Sequence, residues 1–125
     1  IAGRIKDLGV AENFLLFALF LSFIHAWLEE FYWRHFVFGQ ASKLMSLPKA
    51  HLIAALGFAS HHVVILSQFF PIGWAFVLGA CVAIGGFAWS WMLYRYNSLW
   101  GAWISHMIVD LGLMWVGWEV LQMAG

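Results

Sequence analysis

Long stretches without charged residues divide the chain into hydrophobic segments. Residues 13–28 carry no formal charge, and the apolar pattern resumes after Glu29 and Glu30 and continues to Phe38. Residues 50–94 contain no Asp, Glu, Lys or Arg, and this stretch is too long for one membrane span of about 20 residues. The Phe-Pro-Ile-Gly sequence at 70–73 divides it, because proline and glycine end helices. A fourth hydrophobic segment follows the charged turn at 94–97.

This pattern predicts four membrane spans, at roughly 13–38, 49–70, 73–94 and 98–122. Lipid cannot satisfy the backbone groups of an open sheet edge, so the expected fold is all-α, a polytopic transmembrane helical bundle. The polar segment 39–48, which holds Lys43 and ends at Pro48, is predicted to be a loop. We expect residues 1–125 to form a single membrane core. The chain begins with Ile and shows no signal-peptide pattern, so we also expect it to be a segment of a longer protein.

Composition supports the membrane interpretation and excludes an ordinary soluble domain. Hydrophobic residues make up 64% of the chain and charged residues 10%, whereas soluble domains are about 25% charged. Six Lys and Arg balance six Asp and Glu, so no basic surface suggests a nucleic-acid partner. The expected surroundings are therefore the lipid bilayer.

Ionisable residues within the predicted spans are the candidates for function. An Asp, Lys or Arg at the centre of a membrane helix costs roughly 2.5–3.5 kcal/mol, so such residues face the interior and mark a functional site by default. Helical spacing allows two pairs, because residues four apart share a face. The candidates are Glu29, Glu30, Arg34, His62, His106 and Asp110, in which Glu30 can pair with Arg34 and His106 with Asp110.

The depths of these candidates agree. Counting from the end of the spans that holds Lys43 and Arg95, at about 1.5 Å per residue, puts Glu29, His62 and Asp110 at similar levels. If their helices are neighbours, we expect one polar cluster inside the hydrocarbon layer.

Three short motifs contain these residues. The sequence EEFYWR at 29–34 fits EExxxR, FASHH at 58–62 fits FxxxH, and HMIVD at 106–110 fits HxxxN/D. In this order, on successive hydrophobic helices, the set resembles the CAAX-protease and bacteriocin-processing family of intramembrane endopeptidases. The Ras-converting prenyl-protein endopeptidase of eukaryotes is related to that family. The resemblance covers about residues 29–110, most of the chain.

The resemblance implies hydrolysis of a peptide bond within the membrane. It assigns Glu29 and His62 to the activation of a water molecule, and His106 with Asp110 to stabilisation of the oxyanion. A positioned general base contributes roughly 10²–10⁴-fold in rate, and one oxyanion donor roughly 3–4 kcal/mol. Both halves are therefore needed to hydrolyse an amide. The implied role of Glu30 is structural.

Two departures from this assignment follow from the residues themselves. Asp110 stands where the family more often has Asn, and a carboxylate cannot donate a hydrogen bond unless it is protonated. We therefore expect Asp110 to act through His106. His61 lies about 100° from His62 around the helix, so we expect it to support the site or to pack between helices. We expect Arg34 to support the site through its pairing with Glu30. If the helical phase differs, His61 is itself the catalytic histidine. His51, close to the predicted loop, is expected at the membrane interface.

Other functions remain open at this stage. Glu29, His62 and His106 have the donor atoms to ligate zinc, which would make the protein a metalloprotease. HExxH is absent, and no cofactor is the first expectation. A non-enzymatic proton relay or transporter, or an immunity protein that acts by binding, would also use a buried carboxylate–histidine cluster.

The expected partner is a peptide or a membrane-anchored protein substrate. Nothing in the sequence says whether that substrate is prenylated. We expect an integral protein of a prokaryotic plasma membrane, with its site opening toward the end that holds Lys43 and Arg95. That end also holds Lys49, against Arg4 and Lys6 at the other, so the positive-inside rule favours it as cytoplasmic.

Overall fold

Four long helices form the computed structural model, which describes residues 9–123 together with Gly3 and Asp7. The helices are α1 (Ala11–Leu44), α2 (Leu47–Leu66), α3 (Ile72–Tyr96) and α4 (Trp100–Met123). Each is long and apolar enough to cross a membrane, and the described residues contain no strand. The predicted all-α architecture with four spans is confirmed. Arg4 and Lys6, which entered the prediction of orientation, lie outside the described residues.

Helix α1 is irregular. It begins with a 3₁₀ turn at Ala11–Asn13 and contains two π-helical segments, Phe20–His25 and Phe31–Phe38. In a π turn each N–H bonds to the carbonyl five residues earlier, so side chains do not follow the usual angular spacing. Between the two segments lies a short α-helical stretch, Ala26–Glu30, which ends with the two adjacent glutamates.

The loop predicted at 39–48 is wrong over most of its length. Residues Gly39–Leu44 continue α1, and the hydroxyl of Ser42 donates to the Gly39 carbonyl at 3.0 Å. The helix ends only at Met45, whose backbone is extended (φ −147°, ψ 174°). Pro48 lies in the first turn of α2, where its missing N–H removes no helical hydrogen bond.

The ends of α2 and α3 also differ from the prediction. Helix α2 ends at Leu66, four residues before the predicted end, and a turn leads from there to α3. Helix α3 continues to Tyr96 and is ended by Asn97, which adopts the left-handed conformation (φ 49°). Asparagine is among the few residues other than glycine that adopt this conformation readily.

The chain contains two compact units, of which residues 29–102 form one. In this unit α2 packs closely against α3, because small side chains line both helices. A β-carbon added to Gly79 would clash with Cγ2 of Val63, and one added to Gly86 would lie 3.1 Å from Phe58 Cδ1. The buried small residues are Ala50, Ala54, Ala55 and Ala59 on α2, and Ala75, Gly79, Gly86 and Ser90 on α3.

His51 is buried in this contact between helices, and its expected depth at the membrane interface stays a prediction. Its exposure is only 4%, and its Nδ1 lies 2.7 Å from the hydroxyl oxygen of Ser90 on α3. The ring stacks on Phe38, with centroids 4.5 Å apart. These contacts come from Phe38 of α1 and Ser90 of α3, and the position of His51 beside Lys49 in the sequence did not indicate them.

The other unit comprises residues 1–28 and 103–125. Here Phe14 and Ala18 of α1 form a buried cluster with Leu121 of α4. The indole N–H of Trp103 donates to the Phe23 carbonyl at 2.9 Å, which satisfies a carbonyl in the first π-helical segment. This unit contains the third motif, at 106–110.

Candidate active site

Glu29 is the buried carboxylate around which the candidate site is built. It lies at the end of the short α-helical stretch of α1 and is only 8% exposed. Its Oε1 lies 2.8 Å from Nε2 of His61 on α2. A contact of this length between a carboxylate and an imidazole is a strong, charge-assisted hydrogen bond. The structure therefore joins the first motif to the second through His61.

Aromatic rings fix the orientation of His61. The Trp33 ring stacks on its imidazole, with centroids 5.5 Å apart and planes within 3°. Phe58 contacts the same ring edge-on at 5.4 Å. Gly57 provides the space for Trp33, since a β-carbon there would lie 2.6 Å from Trp33 Cζ3. The His61 ring thus packs against two aromatic side chains that also contact each other, with centroids 6.3 Å apart, while its Nε2 faces Glu29.

His62 lies beside His61 but makes a different contact. Its Nδ1 lies 3.0 Å from the main-chain carbonyl oxygen of Phe58. A carbonyl oxygen can only accept, so Nδ1 of His62 carries the proton in this contact, and the lone pair of the neutral ring is on Nε2. The centroids of the two imidazoles are 4.2 Å apart.

Together these residues form a compact polar cluster. One donor atom each from Glu29, His61 and His62 lies within 4.8 Å of the other two. Such a group has the atoms to bind a water molecule and accept its proton, or to ligate a metal ion. The sequence predicted Glu29 and His62 as the working pair, and the structure adds His61 as the residue bonded to Glu29.

A sequence signal for His61 exists in retrospect. Trp33 follows Glu29 by four residues on α1, and His61 follows Gly57 by four on α2. A carboxylate and a large ring on one helix thus face a histidine and a glycine on the other. The motif FxxxH does not include this match, because it specifies Phe58 and His62 and leaves the position of His61 open.

Glu30 and Arg34 form the predicted pair. The Nε of Arg34 lies 3.1 Å from Oε2 of Glu30, and both side chains are buried. Neither terminal nitrogen of Arg34 has a hydrogen-bond partner within the described residues. Instead the guanidinium carbon lies 4.1 Å from the centroid of Phe58 and 5.1 Å from that of Trp89. Aromatic faces attract a desolvated cation, so the rings partly replace the missing acceptors.

His106 and Asp110 lie on one face of α4 in the unit that comprises residues 1–28 and 103–125. Nε2 of His106 is 3.6 Å from Oδ1 of Asp110. That distance is longer than a hydrogen bond but close enough for charge interaction. His106 is 3% exposed. The predicted proximity of the two side chains is confirmed.

Comparison with known proteins agrees with the motifs. The family profile described as "Type II CAAX prenyl endopeptidase Rce1-like" matches residues 11–112, which is most of the chain and includes all three motifs. No curated protein and no solved structure gives a significant match. The four apolar helices and this match identify an integral membrane protein of a peptidase family. The chain belongs to the type II CAAX prenyl endopeptidase Rce1-like family.

Proposed function

We propose that the protein is an intramembrane endopeptidase that hydrolyses a peptide bond with a water molecule activated by Glu29 and His62. The observation that carries the proposal is the buried carboxylate of Glu29, hydrogen-bonded to a histidine of a second membrane helix. A chain retains a buried carboxylate in lipid only where structure or function compensates for its cost.

The proposed chemistry divides the work between two groups of residues. Glu29 takes a proton from the water, and the oxygen of that water attacks the peptide carbonyl. The same proton then passes, through Glu29 or His62, to the peptide nitrogen as the C–N bond breaks and the amine leaves. His106 stabilises the negative charge that develops on the carbonyl oxygen, and Asp110 orients His106.

The first experiment compares membrane peptides and new protein termini in cells that express three forms of the protein. The forms are the wild type, Glu29→Gln, and Glu12→Gln as a control at an exposed carboxylate. Glutamine keeps the shape of the side chain but removes the base. We expect certain termini with the wild type and Glu12→Gln but not with Glu29→Gln. Identical termini in all three, with equal expression, would exclude the proposal and favour a transport or binding role.

The family description suggests the substrate to try first. Because the matching profile is that of a CAAX prenyl endopeptidase, we propose a peptide whose C-terminal CAAX sequence carries a prenyl group on its cysteine. The matched control is the same peptide without the prenyl group. Cleavage of the prenylated peptide alone would support a prenyl-protein substrate, whereas equal cleavage would support a leader peptide or a membrane-anchored protein.

A second candidate mechanism uses zinc, and the compact cluster favours it specifically. Glu29, His61 and His62 offer three donor atoms within 4.8 Å of one another, and carboxylate and imidazole are ligands that zinc accepts. In this set His61 takes the place that the sequence-based set gave to His106. A bound zinc would supply a hydroxide at neutral pH. One zinc per purified chain, with activity lost on chelation and restored by zinc, would favour this mechanism, whereas full activity after chelation would exclude it.

The orientation in the membrane is also a proposal. Lys43, Lys49 and Arg95 lie at one end of the spans, and residues 31–109 contain no carboxylate. We propose that this end faces the cytoplasm of a prokaryotic cell, since cytoplasmic loops carry an excess of Lys and Arg.

A further inference from the structure

We infer that the two adjacent histidines of the second motif have opposite tautomers and divide the work, with His61 positioning Glu29 and His62 exchanging the proton. The inference deepens the proposed function, on which its kinetic part rests. Its structural part, the two tautomers, is independent of any activity.

The contact with Glu29 indicates the tautomer of His61. An ionised Glu29 can only accept, so the proton of the 2.8 Å contact lies on Nε2 of His61. The other nitrogen, Nδ1, is buried and has no hydrogen-bond partner within the described residues. A neutral ring with its proton on Nε2 leaves only a lone pair unsatisfied at that position. An imidazolium would leave a charged N–H there, which costs more.

The contact with the Phe58 carbonyl indicates the tautomer of His62. Its Nδ1–H donates to the Phe58 carbonyl, so the basic nitrogen of the neutral ring is Nε2. A second hydrogen bond of this kind commonly fixes the tautomer and orientation of a working histidine. His62 therefore presents a basic nitrogen in the cluster, whereas the Nε2 of His61 already donates to Glu29.

Packing against aromatic rings holds the His61 side chain in place. Trp33 and Phe58 hold the His61 ring, and Gly57 leaves room for Trp33. A ring fixed in this way can hold a carboxylate in one rotamer, and precise positioning of a base is worth a large factor in rate. His61 is thus a positioning residue that acts through Glu29.

The kinetic test uses three substitutions of His61. Glutamine places its amide N–H close to where Nε2 lies, asparagine is one methylene too short, and leucine has no donor. We expect His61→Leu and His61→Asn to lower kcat on the order of 10- to 100-fold with KM little changed, and His61→Gln to recover most of the loss. We expect His62→Gln to lose activity on the order of 10²- to 10⁴-fold, as for the loss of a group that transfers a proton.

Several kinetic results would contradict the proposed division of roles between His61 and His62. If His62→Gln retains activity and His61→Gln does not, His61 exchanges the proton. If glutamine restores no more activity than asparagine or leucine, and all three variants melt at lower temperature, His61 has a packing role only. Activity of His61→Leu equal to that of the wild type would exclude any role.

A spectroscopic test remains valid if the protein proves not to be a protease. The protein is labelled with ¹⁵N-histidine in lipid nanodiscs, and the signals are assigned with His61→Gln and His62→Gln. We expect a protonated Nε2 in His61 and a protonated Nδ1 in His62. Glu29→Gln should move the His61 N–H resonance and leave that of His62 nearly unchanged. The same tautomer in both rings would contradict the inference whatever the activity.

Discussion

At the scale of single residues, the buried charge pair beside the candidate site is the feature with the largest desolvation cost. Arg34 and Glu30 are completely removed from the surface, and the guanidinium is covered by Phe58 and Trp89. Such a pair contributes little net stability, because desolvation offsets the attraction between the charges. Removing one partner, however, leaves an uncompensated charge. The pair is therefore expected to fix the conformation of α1 next to Glu29.

Substitution of Glu30 alone should destabilise the protein much more than substitution of both Glu30 and Arg34. We expect Glu30→Ala to destabilise the protein by about 3–5 kcal/mol, since Arg34 would remain buried without its counter-charge. The double variant Glu30→Ala/Arg34→Met should regain part of that loss. Thermal unfolding in detergent measures both, with Lys43→Ala as an exposed control. Additive losses in the double variant would mean that the two side chains do not interact.

Contacts between residues four apart on one helix could be predicted from the sequence, whereas contacts between residues on different helices could not. The spacing alone predicted that Glu30 contacts Arg34 and that His106 lies near Asp110, because an α-helix places such residues on one face. The contact of Glu29 with His61 depends on how α1 is rotated against α2. The contact of His51 with Ser90 spans 39 positions in the sequence.

At the scale of helices, the close approach of α2 and α3 depends on small residues of α3. Two adjacent glycines of α3 differ in their surroundings. A β-carbon on Gly86 would lie 3.3 Å from an Arg34 nitrogen and 3.4 Å from the Ala55 Cα, whereas one on Gly85 would make ordinary contact with Trp89 at 3.6 Å. The shortest contacts of a β-carbon on Gly86 are with Arg34 and, at 3.1 Å, with the Phe58 ring, and both side chains are buried, so they cannot move aside easily.

These two glycines provide a matched pair of variants. We expect Gly86→Ala to destabilise the protein by about 1–3 kcal/mol, because it overpacks the contact between α2 and α3. Gly85→Ala should be neutral or should stabilise by up to about 1 kcal/mol, since alanine loses less conformational entropy in a helix. The melting temperatures of the two variants in one detergent make the comparison. If both changes have the same sign, the close contact at Gly86 does not limit the helix packing.

The existence of four helices followed from the hydrophobic pattern, but the end of α1 did not. Polar residues such as Gln40 and Lys43 suggested a loop, although they are compatible with a helix. The break depends on the extended backbone of Met45, for which the sequence has no marker. Pro48 was interpreted as the end of a loop, whereas it lies in the first turn of α2.

At the scale of the whole chain, four spans place alternate connections on opposite sides of the membrane. The breaks near Met45 and Asn97 then share the side of Lys43 and Arg95, and the turn at 67–71 lies on the other side. The excess of Lys and Arg sets the orientation of such a chain. A topology follows that can be measured in intact cells without knowledge of the substrate.

Cysteine labelling measures this topology. We expect a membrane-impermeant maleimide added outside intact cells to label Gln68→Cys but not Ser98→Cys, which should react only after the membrane is opened. The native Cys81 is the internal control. It lies within α3 and should be shielded by lipid in both conditions. Labelling of Ser98→Cys from outside would reverse the orientation, and equal labelling of both would contradict four spans.

The second π-helical segment of α1 bears on how the sequence can change in evolution. A π turn accommodates one more residue than an α turn, so a single deletion can convert it to a regular helix without breaking the chain. A deletion within Phe31–Phe38 can therefore be absorbed by closing a wide turn, which leaves Glu29 before the segment and the residues after it on their original faces of α1. Relatives with a one-residue gap here should therefore keep an aromatic residue and a histidine at the positions of Phe38 and its partner His51.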